Sequence, residues 1–333
     1  MFKICIIGCG EIAKGFHGPA LKKYCADYPG AVLAACCDRD IDKAKKYADM
    51  FDFNAHYSDY REMLNTERPD AVSITVSYAV ISDIAIDVIN MGYPVLMEKP
   101  PGINREEVSR IIEAAQKTGI ANQVAFNRRY TPIVNELKNR LATYPAGKGI
   151  HNIRCVFQRV GRKDSDFFTT AIHGIDTLRY IAGSDYKHIH FSYQELPELN
   201  KGAANIYMDC LMKSGAVAQL SFCPSGGKVI EDYLVTCHDN DFTLNMPVWG
   251  SPEYPGGLTR FSGNKKAEYI EGSDPRFGSE IFETFGFYAE NASFFNNIRA
   301  DKKPVNDIIS ALQSVEVAHC IKERRDEYTL DTC

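Results

Sequence analysis

The sequence predicts an α/β protein, with an N-terminal doubly wound parallel sheet followed by an α+β domain built on a large, mostly antiparallel open sheet. Three observations carry this. An apolar run, Phe2 to Ile7, enters a glycine-rich hexapeptide, Gly8-Cys9-Gly10-Glu11-Ile12-Ala13. Strand-like and helix-like segments then alternate as far as about Phe126. Beyond that point long alternating strands follow one another with few helices between them.

The elements read off in order. After the first strand and its glycine turn, a helix-like stretch reaches about Lys23. Ala31 to Cys37 is a continuous small-apolar run, as expected of a strand buried on both faces. Asp40 to Asp52 has a helical pattern, and Asp59 to Thr66 a shorter one. Asp70 to Thr75 is the next strand, Ile81 to Met91 an amphipathic helix, Tyr93 to Met97 a short strand, Arg105 to Thr118 a helix, and Ala121 to Phe126 a strand. In the second half, strands are expected at Ile150 to Val160, His188 to Leu196, Ala204 to Lys213, Val217 to Phe222, Val229 to His238 and Phe242 to Asn245. A hairpin over Leu258 to Glu271 turns at Ser262-Gly263-Asn264. Helices are expected at Thr170 to Ala182, Glu280 to Ile298 and Val305 to Arg325. The division into domains falls at 1–123 and 124–333.

The glycine hexapeptide, between a strand and a helix, is where G-x-G-x-x-[GA] reads as a dinucleotide fingerprint. Gly8 allows the tight turn, Gly10 lets backbone N–H groups approach a pyrophosphate, and Ala13 keeps the helix close to the strand. The second strand ends at Asp38, whose carboxylate suits the ribose hydroxyls and repels a 2′-phosphate. NAD is therefore the expected cofactor, with NADP open through the neighbouring Arg39. Cofactors in such sheets bind beyond the carboxyl ends of the strands. Ser73 to Tyr78 and Glu98 to Pro101 should thus line the same side as Gly8 to Ala13, and Ser77, Tyr78, Glu98 and Lys99 join Glu11 and Ile12 as cofactor-site candidates.

Composition narrows the function classes. The 333 residues are 45% hydrophobic and 24% charged, within the ordinary globular range. A net charge of −5 argues against a nucleic-acid partner. No stretch approaches the ~20 apolar residues of a membrane span. Phe2 to Ile7 is too short for a signal peptide. Eleven scattered cysteines without a C-x-x-C pair read as reduced, buried thiols, so a cytoplasmic location is expected. His188-x-His190 finds no convincing third ligand, and no metal site is expected.

With Glu98-Lys99-Pro100 added, the chain resembles the glucose–fructose oxidoreductase, inositol dehydrogenase and rhizopine-catabolism family, Gfo/Idh/MocA. The resemblance rests on Gly8-x-Gly10-x-x-Ala13, Asp38 with Arg39 and Asp40, Glu98-Lys99-Pro100, Phe126-Asn127-Arg128-Arg129-Tyr130 at the domain junction, and His173-x-x-Asp176 opening a helix. It implies an NAD(P)-dependent oxidoreductase transferring a hydride between a nicotinamide and a hydroxyl carbon of a sugar, cyclitol or sugar derivative. Lys99 would stabilise a developing alkoxide or relay its proton, and His173 would be the general base. Asn127 is assigned to the cofactor; Arg128, Arg129, Tyr130, Thr169 and Asp176 are assigned to the substrate. For the two arginines a structural ion pair is an equal alternative, and Asp176, one turn beyond His173, also suits a supporting role.

The sequence departs from the family in two places. Thr169 stands where many members carry an aspartate four residues before the histidine, and Asp164 and Asp166 lie nearby in sequence. Val76-Ser77-Tyr78-Ala79-Val80-Ile81 replaces a T-P-x-x-x-H stretch. A glycoside hydrolase or lyase that uses NAD transiently, and a nucleotide-binding regulatory protein without catalysis, therefore remain alternatives. The open sheet should pair with another copy, giving a homodimer or homotetramer. Trp249, in the Pro/Gly loop from Pro247 to Gly257, reads as a packing residue, with stacking on a sugar or a neighbouring subunit as alternatives.

Overall fold

The computed structural model describes residues 1–143, 149–163 and 167–330. The elements of its first half are β1 (Phe2–Ile7), a π-helical turn (Ala13–His17) running into α1 (Gly18–Asp27), β2 (Ala31–Cys37), α2 (Ile41–Phe51), β3 (Ala55–Tyr57), α3 (Tyr60–Glu67), β4 (Ala71–Ile74), α4 (Ile81–Asn90), β5 (Val95–Glu98), α5 (Arg105–Thr118) and β6 (Asn122–Ala125). A 3₁₀ turn (Asn127–Tyr130) and α6 (Pro132–Leu141) follow. Then come β7 (Ile150–Gln158), α7 (Phe168–Ala182), β8 (Tyr186–Glu195), β9 (Ala204–Met212), β10 (Val217–Cys223), β11 (Ile230–Cys237), β12 (Asn240–Asn245), β13 (Gly257–Ser262) and β14 (Lys265–Glu271). The chain continues through α8 (Ile281–Thr284), α9 (Phe287–Arg299), α10 (Ile308–Lys322) and β15 (Glu327–Thr329).

Local chemistry sets these boundaries. Asp40 accepts hydrogen bonds from the Asp42 and Lys43 amides, Asp59 from those of Arg61 and Glu62, and Asn104 from that of Glu107. Each caps orphan donors at a helix start. Two strands, β3 and β15, and the helix α6 are additions to the sequence reading. The stretch expected as one helix from Glu280 to Ile298 is two, because Gly286 adopts a left-handed φ of 87° between α8 and α9.

Two compact units result, Met1–Asn127 with Ile281–Val315, and Arg128–Glu280 with Glu316–Cys333. The return of Ile281–Val315 to the first unit differs from the division at 123 and 124 read from the sequence. Phe294 and Phe295, fully buried, belong to the same core as Ile4, Leu21 and Tyr24, and the Tyr24 hydroxyl donates to Asn296 Oδ1 at 3.0 Å.

The first unit's sheet is six-stranded in the order β3-β2-β1-β4-β5-β6, with every pairing parallel. This is the Rossmann order, and its switch point lies between β1 and β4. The second unit holds a nine-stranded sheet, β14-β13-β12-β11-β7-β10-β9-β8-β15, in which only β7 and β10 run parallel. Helix α7 packs on its inner face. A Cβ at Gly174 would lie 2.8 Å from the Phe222 ring, so glycine sets how closely the helix approaches.

Candidate functional site

In the first unit the glycine turn lies at the switch point. Gly8 has a φ of 99°, and a Cβ there would lie 2.7 Å from the Thr75 carbonyl oxygen. The Thr75 hydroxyl donates to the Gly8 carbonyl at 2.7 Å and ties β4 to the turn. Gly10 is different. A Cβ on it would meet nothing within 4 Å, and its φ is not left-handed. Nothing in the chain's own packing requires glycine there, whereas a pyrophosphate approaching the backbone does. Ala13 is buried in the core, Glu11 is exposed, and Ile12 leaves 47% of its surface open. The residues present therefore fit a dinucleotide.

Asp38 stands beside this turn. Its Oδ2 accepts from the Cys9 amide at 2.9 Å and its Oδ1 from the Asp40 amide at 3.1 Å. The carboxylate is half-buried and Arg39 is exposed. Ser77 and Tyr78 follow β4 in a turn, where the Val80 amide donates to the Ser77 carbonyl. Ser77 is exposed and Tyr78 half-buried.

Glu98 ends β5 in a buried network. His17 Nε2 lies 2.8 Å from Glu98 Oε1, and the Lys99 amide donates to Oε2 at 2.9 Å. Asn291 Nδ2 donates to the Phe287 carbonyl at 2.8 Å and lies 3.2 Å from His17 Nδ1. That nitrogen is thus the acceptor, and the ring's proton on Nε2 serves Glu98. Burial opposes ionisation of Glu98, but the hydrogen bond from His17, with Lys99, outweighs it and holds the carboxyl below its usual range. The Glu98 carboxylate is used inside the fold, where it anchors the backbone of the half-buried Lys99. Asn127 is buried and its amide donates to the Phe285 carbonyl at 2.9 Å.

In the second unit Arg129 and Asp176 form a two-pronged ion pair, with Nε to Oδ2 at 2.7 Å and Nη2 to Oδ1 at 2.6 Å. They are 8% and 1% exposed. The pair joins the 3₁₀ turn to α7 inside the unit, the structural ion pair that is the alternative reading for Arg129. Arg128 does the same toward β11, its Nε and Nη2 each 2.6 Å from Glu231 carboxylate oxygens, and its Nη1 lies 2.8 Å from His173 Nδ1. Arg159 also pairs with Glu231. Burial opposes the Glu231 charge, but Arg128 and Arg159 outweigh it and hold the carboxyl below its usual range. Thr169, one turn before His173, and Tyr130 are half-buried. Arg128, Arg129, Tyr130, Thr169, His173 and Asp176 are the second unit's candidates, whereas Asp164 and Asp166 lie outside the described residues.

Sequence reasoning missed Glu231 and Arg159. The signal was present in the strand period. Tyr233, Val235 and Cys237 face inward on β11, and Ile153, Cys155 and Phe157 do so on β7. Glu231 and Arg159 continue those inward sets, so each is a charge at a core position. Trp249, read as packing, is 75% exposed. Among the described residues no group of three or more His, Cys, Asp or Glu side chains is placed to hold a metal ion. No helix among them is long and apolar enough to cross a membrane.

Residues 2–126 match the model of the Gfo/Idh/MocA oxidoreductase family, NAD-binding Rossmann fold. The chain is 28% identical over 192 residues to inositol 2-dehydrogenase of Salmonella typhimurium, a match covering 55% of each. It thus spans about half the length of that curated relative. Among solved structures it resembles levoglucosan dehydrogenase in complex with NADH and L-sorbose, at a TM-score of 0.84 and 17% identity over 99% of both chains. A Gfo/Idh/MocA family oxidoreductase from Vibrio cholerae gives a TM-score of 0.80 at 22% identity, covering 97% of this chain and 98% of that one. At these identities the likeness establishes the fold.

Proposed function

From the match of residues 2–126 to the Gfo/Idh/MocA oxidoreductase family model we propose that the chain is an NAD-preferring dehydrogenase of that family, acting on a hydroxyl carbon of a sugar, cyclitol or sugar derivative. The observation that carries the reading is the open backbone at Gly10 beside the Asp38 carboxylate. Gly8 to Ala13 would hold the pyrophosphate, Asp38 the adenosine ribose, and Ser77 and Tyr78 the neighbouring part of the cofactor. NAD, when bound, supplies the hydride acceptor. The chain's own groups handle the proton: Lys99, its backbone held by Glu98 and His17, and His173, held by Arg128. Relatives named as inositol 2-dehydrogenases support a cyclitol or sugar as substrate.

We further propose a homodimer or homotetramer, working in the cytoplasm. Among the described residues ten cysteines are free thiols and eight of these are buried, which suits a reducing compartment.

The test is a panel of cyclitols, aldoses and nucleotide sugars incubated with NAD or NADP and followed by absorbance of the reduced nicotinamide. NADH formation with at least one polyol is expected. Glycoside cleavage without net NADH would instead indicate a hydrolase or lyase. Tight NAD binding with neither activity across the panel would make the chain a nucleotide-binding regulator.

A further inference from the structure

His17 ends the π-helical turn that follows the glycine fingerprint, and it is 1% exposed. Its ring packs edge-on against Phe287, with centroids 5.3 Å apart. Both ring nitrogens meet partners inside the first unit, and the two partners differ in kind. On the Nδ1 side stands Asn291, carried in 274 positions later by α9 of the returning segment. Its Nδ2 also donates to the Phe287 carbonyl at 2.8 Å. A carbonyl oxygen only accepts, so this contact fixes the amide's orientation and leaves its second N–H for the ring. On the other side, the Glu98 carboxylate lies 2.8 Å from Nε2 and can only accept.

Asn291 and Glu98 together ask for one acceptor and one donor. The neutral ring with its proton on Nε2 supplies both. An imidazolium would set a second N–H against the Asn291 amide, and the other neutral tautomer would also aim a lone pair at the carboxylate. Held by His17 at Oε1, Glu98 presents Oε2 to the Lys99 amide at 2.9 Å. We propose that Asn291 and His17 form a positioning relay for Lys99: Asn291 fixes the proton of His17, His17 fixes the Glu98 carboxylate, and Glu98 fixes the Lys99 backbone. The effect on turnover rests on the reading that Lys99 handles the proton. The relay itself does not.

The first step can be read without substrate. Long-range proton–nitrogen correlation spectra of isotope-labelled protein near neutral pH report the ring, with His17 assigned by the signals lost in His17→Gln. An unprotonated Nδ1 and a protonated Nε2 are expected; a protonated Nδ1 would overturn the relay. In Asn291→Asp a carboxylate replaces the donor, and Nδ1 is expected to take up a proton. A ring still bare at Nδ1 in the folded variant would remove Asn291 from the role.

Hydrogen exchange of the Lys99 amide reads the last step, and it serves even if Asn291→Asp does not fold. In His17→Leu this amide is expected to exchange about tenfold faster or more, while the amides of β1 and β4 keep their rates. An unchanged Lys99 rate, or an equal quickening of β1 and β4, would overturn the relay. Glutamine carries one donor and one acceptor, as the assigned tautomer does, so His17→Gln should keep the Lys99 amide slow. On a polyol that reduces NAD, His17→Leu is expected to lose about a hundredfold in kcat with NAD affinity nearly unchanged, and His17→Gln about tenfold at most. Equal losses in the two variants, or a matching loss of NAD affinity, would count against positioning. Because the spectra and the exchange need no turnover, failure of the relay and failure of the dehydrogenase reading are separable.

Discussion

The Asp38 carboxylate accepts one backbone hydrogen bond on each oxygen, from Cys9 and from Asp40. Each oxygen keeps acceptor capacity for a ribose hydroxyl, and the charge repels a 2′-phosphate. NAD is therefore expected to bind more tightly than NADP, and Asp38→Ser should narrow the gap by roughly tenfold, ~1.4 kcal/mol. Calorimetric titration of both proteins with both dinucleotides measures this. Tighter NADP binding by the unmodified chain would transfer the dominant role to Arg39. Lys99 belongs to the same scale. Glu98 grips its backbone amide, while the pyrophosphate is assigned to the Gly8–Ala13 turn. Lys99→Ala should thus lower turnover on the order of a hundredfold while leaving NAD affinity nearly unchanged. A matching loss of NAD affinity in the same titration would show that Lys99 holds the cofactor instead.

Glu98 at the end of β5 and Glu231 on β11 are buried carboxylates held below their ordinary value of 4.5. A group depressed in the folded state contributes its full stability above the unfolded-state value and loses it as pH falls through the folded one. Acid unfolding should therefore steepen below about pH 4.5 and proceed as these two carboxyls protonate. In Glu231→Gln the charge is gone and Arg128 and Arg159 are left without a counter-ion, at a cost of ~3–5 kcal/mol. Its stability should depend less on pH in that window, and denaturant melts at several pH values would check it. A parallel pH dependence in the two proteins would acquit Glu231. At Gly174 two opposed effects meet. Alanine improves helix propensity by ~1 kcal/mol, but its Cβ would sit 2.8 Å from the Phe222 ring. Overpacking of a core costs ~1–3 kcal/mol, so Gly174→Ala is expected to lower the melting temperature. The elements were largely legible because their signals are local: helical and strand periodicity, β-branched runs and a glycine turn. The pairings were not. Arg129 and Asp176 are 47 positions apart and Arg128 and Glu231 are 103 apart, and no local pattern says which charge meets which. The inward parity of Glu231 marks a buried charge, but naming its partners requires knowing that β11 lies beside β7.

At the scale of the molecule, the alternation of strands and helices fixes the parallel sheet, while the return of Ile281–Val315 to the first unit depends on which core receives Phe294 and Phe295. An apolar helix face states a need for burial and not an address. The same logic applies to the outer face of the second unit's sheet. On β9 and β10, Tyr207, Leu211 and Val217 are exposed large apolar side chains. Val217 pairs with Leu211 across the two strands, and Tyr207 lies further along the same face, opposite Ser221. Phe261 and Tyr269 on β13 and β14 are exposed as well. Apolar side chains gathered on one sheet face mark an interaction surface, and a two-fold pairing of identical faces is the commonest way to cover one. A homodimer or homotetramer is therefore expected at micromolar concentration, measured by light scattering behind size exclusion. Val217→Glu places a charge beside Leu211 on that face without touching the inner core, since Ala218 and Leu220 carry the buried side of β10. It should shift the assembly toward monomer while the far-ultraviolet dichroism stays native. A stable monomer in the unmodified protein would leave the patch without a partner, and an assembly unmoved by Val217→Glu would place the interface elsewhere.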